Sequence, residues 1–364
     1  MLRRLLVPVL VLSGIGSAVY LCQWRGDQAS AGKKEETRDQ DSAGTADREL
    51  TWLREVGSAP GRDSLVSLGK KLAGKPRSDA VAEIEMFLGS DEDRSTGLEF
   101  RVGREGMLDG WPTLRVFLLD LLLEIDPGAA ARISRGILAV ESSADEWAIA
   151  LRNVAKGERS GGNRDYLRAR TEALISHPEW QAQPSVGYLN AFDVLVHVGA
   201  TEALPLLSEL VQRKDRQDLA HAAFLTLDRL VQREPVQMLA RIKADRTLQQ
   251  SRPQMTAQQF ARADLRDTAQ RDIVKSWLLD PSRNSTELEN FSAIYPNNNK
   301  LISDNLLTSE EQVSGAALQA HDREVLTILR GWRADPAFDS RARYLEVMER
   351  RVAQFVEKAG GQPR

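Results

Sequence analysis

The chain has one cysteine, Cys22, and four histidines, His177, His197, His221 and His321, in 364 residues. A lone thiol excludes an intramolecular disulfide and a cysteine metal centre. No two histidines stand at metal-ligand spacing, so no metal site and no cofactor are expected. Surplus positive charge is lacking as well. The 49 Lys and Arg are balanced by 52 Asp and Glu, for a net charge of −3 and a pI near 6.0. Without a broad basic surface, nucleic acid is excluded as the main partner. Catalytic signatures are missing too: there is no HExxH, no GxGxxG after a strand, no phosphate loop, no GxSxG and no EF-hand spacing. The glycine pair Gly161-Gly162 lies without a lysine or a preceding strand and reads as a helix connection. No catalytic residue is assigned.

Long apolar runs are confined to the N-terminus. In residues 1–24, Arg3 and Arg4 precede an apolar stretch from Leu5 to Trp24 broken by Pro8, Gly14 and Gly16. That length just spans a bilayer, and the leading arginines would keep the N-terminus inside and send the chain outward. The segment is read as an uncleaved anchor, with a signal peptide cut near Gly16-Ser17-Ala18 as the alternative. In a bacterium the helical domain would then lie in the periplasm; the alternative is secretion. Leu21 before Cys22 argues against a lipoprotein site. Residues 25–48 carry Gly, Ser, Ala and charge with no aromatic or long aliphatic side chain, the composition of a disordered tether. Arg25-Gly26-Asp27 within it is read as a chance tripeptide.

From Glu49 onward the apolar spacing is helical almost to the end, so the fold class is all-α. Trp111 to Pro127 is the most apolar helix. Thr113, Asp120 and Glu124 share a narrow polar stripe, Pro112 suits a first turn, and Asp126-Pro127 is a stop. Helices are expected over 129–140, 144–156, 165–176, 188–198, 202–212, 218–232, 236–244, 257–279, 285–294, 310–319, 322–332 and 340–358. The last, with Tyr344, Leu345, Met348, Val352 and Phe355 on one face, reads as a cap. Leu98, Phe100 and Val102 alternate with charges before Gly103 to Gly106, the pattern of a small hairpin or ordered loop inserted in the helical series. Arg252-Pro253 marks a joint between residues 49–250 and a C-terminal subdomain, 251–364. Trp111, Trp147, Trp180, Trp277 and Trp332 are read as inter-helix packing. The polar run Tyr295 to Lys300 reads as a turn, with a recognition edge near His321-Asp322 as the alternative. Asn284 and Asn290 match glycosylation acceptors inside a helical segment.

Three segments superpose: LDLLLEIDPGAAARI from Leu119, FDVLVHVGATEALPLL from Phe192 and LDRLVQREPVQMLARI from Leu227. Their aspartates Asp120, Asp193 and Asp228 are separated by 73 and 35 residues, two units and one unit of a repeat. Each then turns at Asp126-Pro127, Gly199-Ala200 or Glu234-Pro235 into a second helix. Over about residues 112–245 the pattern resembles HEAT-type repeats, antiparallel helix pairs stacked into an α-solenoid. That resemblance implies an extended concave surface binding proteins or peptides, not a substrate.

Each aligned aspartate is followed four residues on by Glu124, His197 or Gln232 on the same helical face. These six form a candidate polar ladder with three readings: hydrogen bonding between repeats, a solvated edge, or a ligand-contacting stripe. The function expected is a noncatalytic, membrane-tethered or exported scaffold that binds a protein partner. The alternatives are a ligand-binding or sensor module on the concave face and, last, an enzyme using Asp193, His197, His321 or Asp322.

Overall fold

The computed structural model describes residues 50–103, 108–158, 161–298, 305–309 and 313–359. Of these, 72% are helical and 2% lie in strands, so the class is all-α as the periodicity implies. The N-terminal apolar segment and the tether fall outside the described residues, and among the described residues no helix is long and apolar enough to cross a membrane.

Three short helices come first: α1 (Thr51–Val56), α2 (Arg62–Ala73) and α3 (Arg77–Leu88). Next comes an antiparallel hairpin, β1 (Arg101–Val102) against β2 (Leu108–Asp109), with Arg101 opposite Asp109 and Val102 opposite Leu108. Phe100 is buried while Val102 is exposed; residues 104–106 of the expected turn lie outside the described residues. The insertion is stitched to residues 112–114, because Thr96 N–H donates to the Pro112 carbonyl at 3.0 Å and Leu114 N–H to the Arg94 carbonyl at 2.9 Å.

α4 (Leu114–Ile125) buries Leu114, Val116 to Leu119, Leu121 and Leu122. Periodicity places Pro112 in its first turn, whereas the structure leaves that residue outside. Thr113 is extended and its hydroxyl accepts the Val116 N–H at 3.3 Å, so the cap falls one residue after the proline. Asp126 ends α4 and caps α5 (Pro127–Ile137), its carboxylate accepting the Ala129 N–H at 3.0 Å. Then come α6 (Ala144–Gly157), α7 (Arg164–Ile175), α8 (Pro178–Ala182), α9 (Val186–Ala191), α10 (Asp193–His197) and α11 (Leu204–Leu210). The chain continues through α12 (Gln217–Arg233), α13 (Pro235–Ala244), α14 (Arg246–Ser251), α15 (Pro253–Phe260) and α16 (Thr268–Leu278). α17 (Ser285–Ile294), α18 (Gly315–Ala334) and α19 (Ala342–Ala359) complete the order.

Expected helices divide or merge in three places, and α8 and α14 form where none was expected. The 188–198 helix divides at Phe192, where the α-type ladder gives way to a tighter bond from Leu195 N–H to the Phe192 carbonyl at 3.1 Å. The 257–279 helix is interrupted by residues 261–267, because Asp267 acts as the cap of α16 and accepts the Gln270 N–H at 2.8 Å. The break expected between 319 and 322 is absent: no proline, glycine or capping residue stands at Ala320-His321, and α18 continues through them.

Chain neighbours pack on one another along the series, α4 on α5 and α6, α6 on α7 and α9, α10 on α12, α12 on α13, and α13 on α14, α15 and α16. Packing thus runs on across the joint expected near residue 250. At the far end α15 meets α17, and α19 closes against α17 and α18. All three expected turns fall at helix boundaries, and Gly199 adopts φ 61° with Ala200 N–H returning to the Leu195 carbonyl at 2.9 Å, a C-terminal stop that favours glycine.

Gly157 at the end of α6 lies close against the backbone of α5. A Cβ there would overlap the Pro127 carbonyl oxygen and stand 2.9 Å from Ala131 Cβ, both on α5. Gly331, in an exposed part of α18, has nothing within 4 Å of such an atom. The same substitution is therefore expected to have opposite signs. Gly157→Ala should cost about 1–3 kcal/mol by overpacking. Gly331→Ala should add about 0.5–1 kcal/mol through helix propensity. Urea denaturation midpoints check both, and equal shifts would contradict the packing described.

Candidate functional site

The three aligned aspartates each meet an arginine 32 to 36 residues further along the chain. Asp120 on α4 accepts from Arg152 Nη2 on α6, 32 residues on. It also takes the Trp111 indole N–H at 2.7 Å. Asp193 on α10 accepts from Arg229 Nη1 on α12 at 3.3 Å, 36 residues on. Asp228, also on α12, holds Arg262 just past α15 through Nε at 3.0 Å and Nη2 at 2.9 Å, 34 residues on. α12 thus carries two rungs, Asp228 facing forward and Arg229 facing back. Arg115 on α4 makes a related tie to Glu146 on α6 at 2.9 Å, and its other nitrogens donate to the Ser90 and Leu88 carbonyls.

Two of the rungs are covered by a segment from much later in the chain. Asp193 Oδ2 accepts three consecutive backbone N–H groups, from Leu306 at 2.8 Å, Leu307 at 2.6 Å and Thr308 at 2.8 Å. The Thr308 hydroxyl donates to Oδ1, and Arg229 Nη1 also donates to the Asn305 side-chain oxygen. Successive N–H groups turned onto one acceptor make an anion-binding concavity, and here its occupant is the chain's own carboxylate. At the next rung Arg262 Nη1 donates to the Asn297 carbonyl at 2.8 Å. Asp193 and Asp228 are 3% and 1% exposed, whereas the Asp120 side chain is 30% exposed.

The residues paired with them at i+4 behave differently. Glu124 is exposed, and Gln232 Nε2 donates to Asp228 Oδ2 at 2.7 Å. His197 is half-buried beside Asp193. Burial first, then Arg233 and Lys156, hold its imidazole below the ordinary range, against the opposing pull of Asp193. His321 sits elsewhere, its Nδ1 3.1 Å from Asp322 and its Nε2 3.6 Å from Asp264. Asp193 and His321 are thus held in separate polar clusters. The Tyr295 to Lys300 run is packed in its described part: Tyr295 is fully buried, which pushes its phenol far up, and Asn297 N–H donates to the Ala261 carbonyl at 2.9 Å. Asn284 is spent as the cap of α17 in a reciprocal box with Glu287.

Three cavities among the described residues lie away from the ladder. One of about 650 Å³ is floored by the Arg115–Glu146 pair and walled by Leu88, Ile133, Ile137 and Val140. Its two arginines, Arg115 and Arg132, are held by Glu146 and Glu85. Another, about 520 Å³, opens between α12, α15 and the turn that follows α11. A third of about 610 Å³ lies between α1 and residues 92–95. Asp193, His197, His321 and Asp322 line none of the three. Among the described residues no group of three or more His, Cys, Asp or Glu is placed to hold a metal ion. No family model, no curated protein and no solved structure matches this chain.

Removing one partner of a buried ion pair strands the other, which costs about 3–5 kcal/mol. Asp193→Ala should reach that range, and Thr308→Val, which leaves the three backbone donors in place, about 1–2 kcal/mol. Hydrogen exchange at Leu306, Leu307 and Thr308 should accelerate in Asp193→Ala. Unchanged exchange there would refute the described docking of the segment, even if the variant is less stable.

His197 gives a signed pH effect. Its lowered folded value means the unfolded chain binds the proton more readily, so stability is full above the ordinary histidine pKa of about 6.5. It then falls as pH drops from there through the folded value. Between about pH 7.5 and about pH 5.5, His197→Gln should lose less urea-midpoint stability than the wild type; identical losses would exclude His197 as the source.

Proposed function

We propose that this protein is a noncatalytic helical-repeat scaffold, HEAT-like in its paired helices, that is tethered to a membrane or exported by its N-terminal segment and binds other proteins. The observation that carries this reading is the use made of the recurring polar residues. Asp120, Asp193 and Asp228 are engaged by Arg152, Arg229 and Arg262 at separations of 32, 36 and 34 residues. The aligned carboxylates therefore tie each helix to a later one, as stacked repeats require. A carboxylate surrounded by three backbone donors and a guanidinium is poorly placed to serve as a general base. Binding of a small molecule has one observation in its favour, the cavity of about 650 Å³. It is the second reading because that cavity's arginines are already held by its own glutamates.

The test is recovery from solubilised membranes. The full chain should sediment with membranes, resist alkaline extraction and come away with a protein partner in fixed stoichiometry. A chain lacking residues 1–24 should leave the membrane fraction or stay unexported. A clean monomer in several detergents, with no partner, would count heavily against the scaffold.

A further inference from the structure

The open groove of about 520 Å³ between α12, α15 and the turn that follows α11 differs from the other two described cavities in its charge. Arg213, Lys214 and Arg252 line it, with His221 beside them, and no Asp or Glu does. Arg213 is held by Asp215 at 2.6 and 2.8 Å and by the Gln181 side chain at 2.9 Å. Lys214 and Arg252 have no side-chain hydrogen bond or ion pair among the described residues. In a chain with 49 cations and 52 anions, where most arginines around the rungs are paired, two unpaired cations in one concavity are an unspent attraction for an anion.

The floor adds a second requirement. Phe224 and Met255 are partly buried and packed against the core, and the His221 ring lies 6.4 Å from that of Phe224. Such a surface suits an apolar side chain, which inorganic phosphate lacks. Around it stand Gln217, Gln254 and Gln258, each offering both an amide donor and an acceptor. A phosphate draws mainly on the donors, whereas a peptide main chain matches both.

We propose that this groove binds an acidic peptide segment of a protein partner. Its carboxylates meet Lys214 and Arg252, an apolar side chain covers Phe224 and Met255, and the glutamine amides pair with its main chain. This deepens, and rests on, the reading of the helical array as a protein-binding scaffold.

The probe is a short fluorescein-labelled peptide with glutamates flanking one phenylalanine, titrated against the full chain in neutral detergent and followed by anisotropy. Binding should weaken with added salt and be at least about tenfold poorer for a twin with Gln in place of Glu. Lys214→Gln and Arg252→Gln should each weaken it about fivefold, and Phe224→Ala should weaken it without changing the salt dependence. All three side chains are solvent-accessible, and unchanged thermal melts identify folded variants. Equal binding of the neutral twin, indifference to the double charge variant, or displacement by inorganic phosphate or a single-stranded oligonucleotide as readily as by unlabelled peptide would each overturn the proposal. The two readings fail separately. If wild type and double variant recover the same stoichiometric partner from membranes, the groove is excluded and the scaffold stands. If neither recovers a partner although the peptide binds as described, the groove stands and the scaffold reading falls.

Discussion

A carboxylate held at 3% exposure must be compensated where it sits, and Asp193 is compensated by groups from two distant parts of the chain. Desolvating such a group costs several kcal/mol, and Arg229 alone, at 3.3 Å through one nitrogen, is a modest answer. The three backbone N–H groups of Leu306, Leu307 and Thr308 supply the remainder. Burial of Asp193 therefore requires the segment 305–308 to be docked, and docking that segment, 113 residues away in sequence at Leu306, fixes where the chain leading to α18 starts. α18 in turn is the helix on which α19 packs. One local demand of electrostatics is transmitted in this way to the end of the fold.

The other rungs do the same over shorter distances. Arg262 clamps Asp228 with two nitrogens and reaches the Asn297 carbonyl with a third. Buried ion pairs of this kind contribute little net stability, since desolvation offsets most of their attraction, but they penalise any stacking that would separate the partners. Leucine contacts tolerate a slip of one helix along another far better than a bidentate pair does. The apolar faces of α4, α6 and α12 hold the layers together, and the rungs decide the register in which they are held. Asp120, the least buried of the three aspartates, sits at the rung nearest the hairpin insertion, where Trp111 supplies the second donor.

Half of this arrangement is legible in the sequence. The aspartates align because they recur at equivalent helical positions, and helix existence follows from apolar spacing that burial confirms in α4, α12 and α19. The arginines escape a search for i,i+4 neighbours on the same helix, because the true partners stand 32 to 36 residues on. Arg229 comes directly after Asp228, and that adjacency is the available signal: a helix bearing both charges side by side can pair in two directions. The docking of residues 305–308 has no such signal, because its donors are backbone N–H groups that any non-proline residue carries. The break at 261–267 is hidden for a related reason, since Asp267 reads as an ordinary helical surface residue until its side chain is seen to cap α16.

What a polar residue does in this fold is decided by whether the chain already satisfies it. The aspartates that recur most regularly are also the most fully engaged, so regularity in the sequence points to architecture. The groove beside α15 presents the opposite case: Lys214 and Arg252 belong to no repeat pattern, and the structure leaves both without a counter-charge among the described residues. Two cations that face one concavity repel each other, and the stacking of helices makes no use of either. A partner that brings the missing anions removes that repulsion on binding, which is why the unmatched charges, and not the repeated ones, mark the surface through which the proposed scaffold would act.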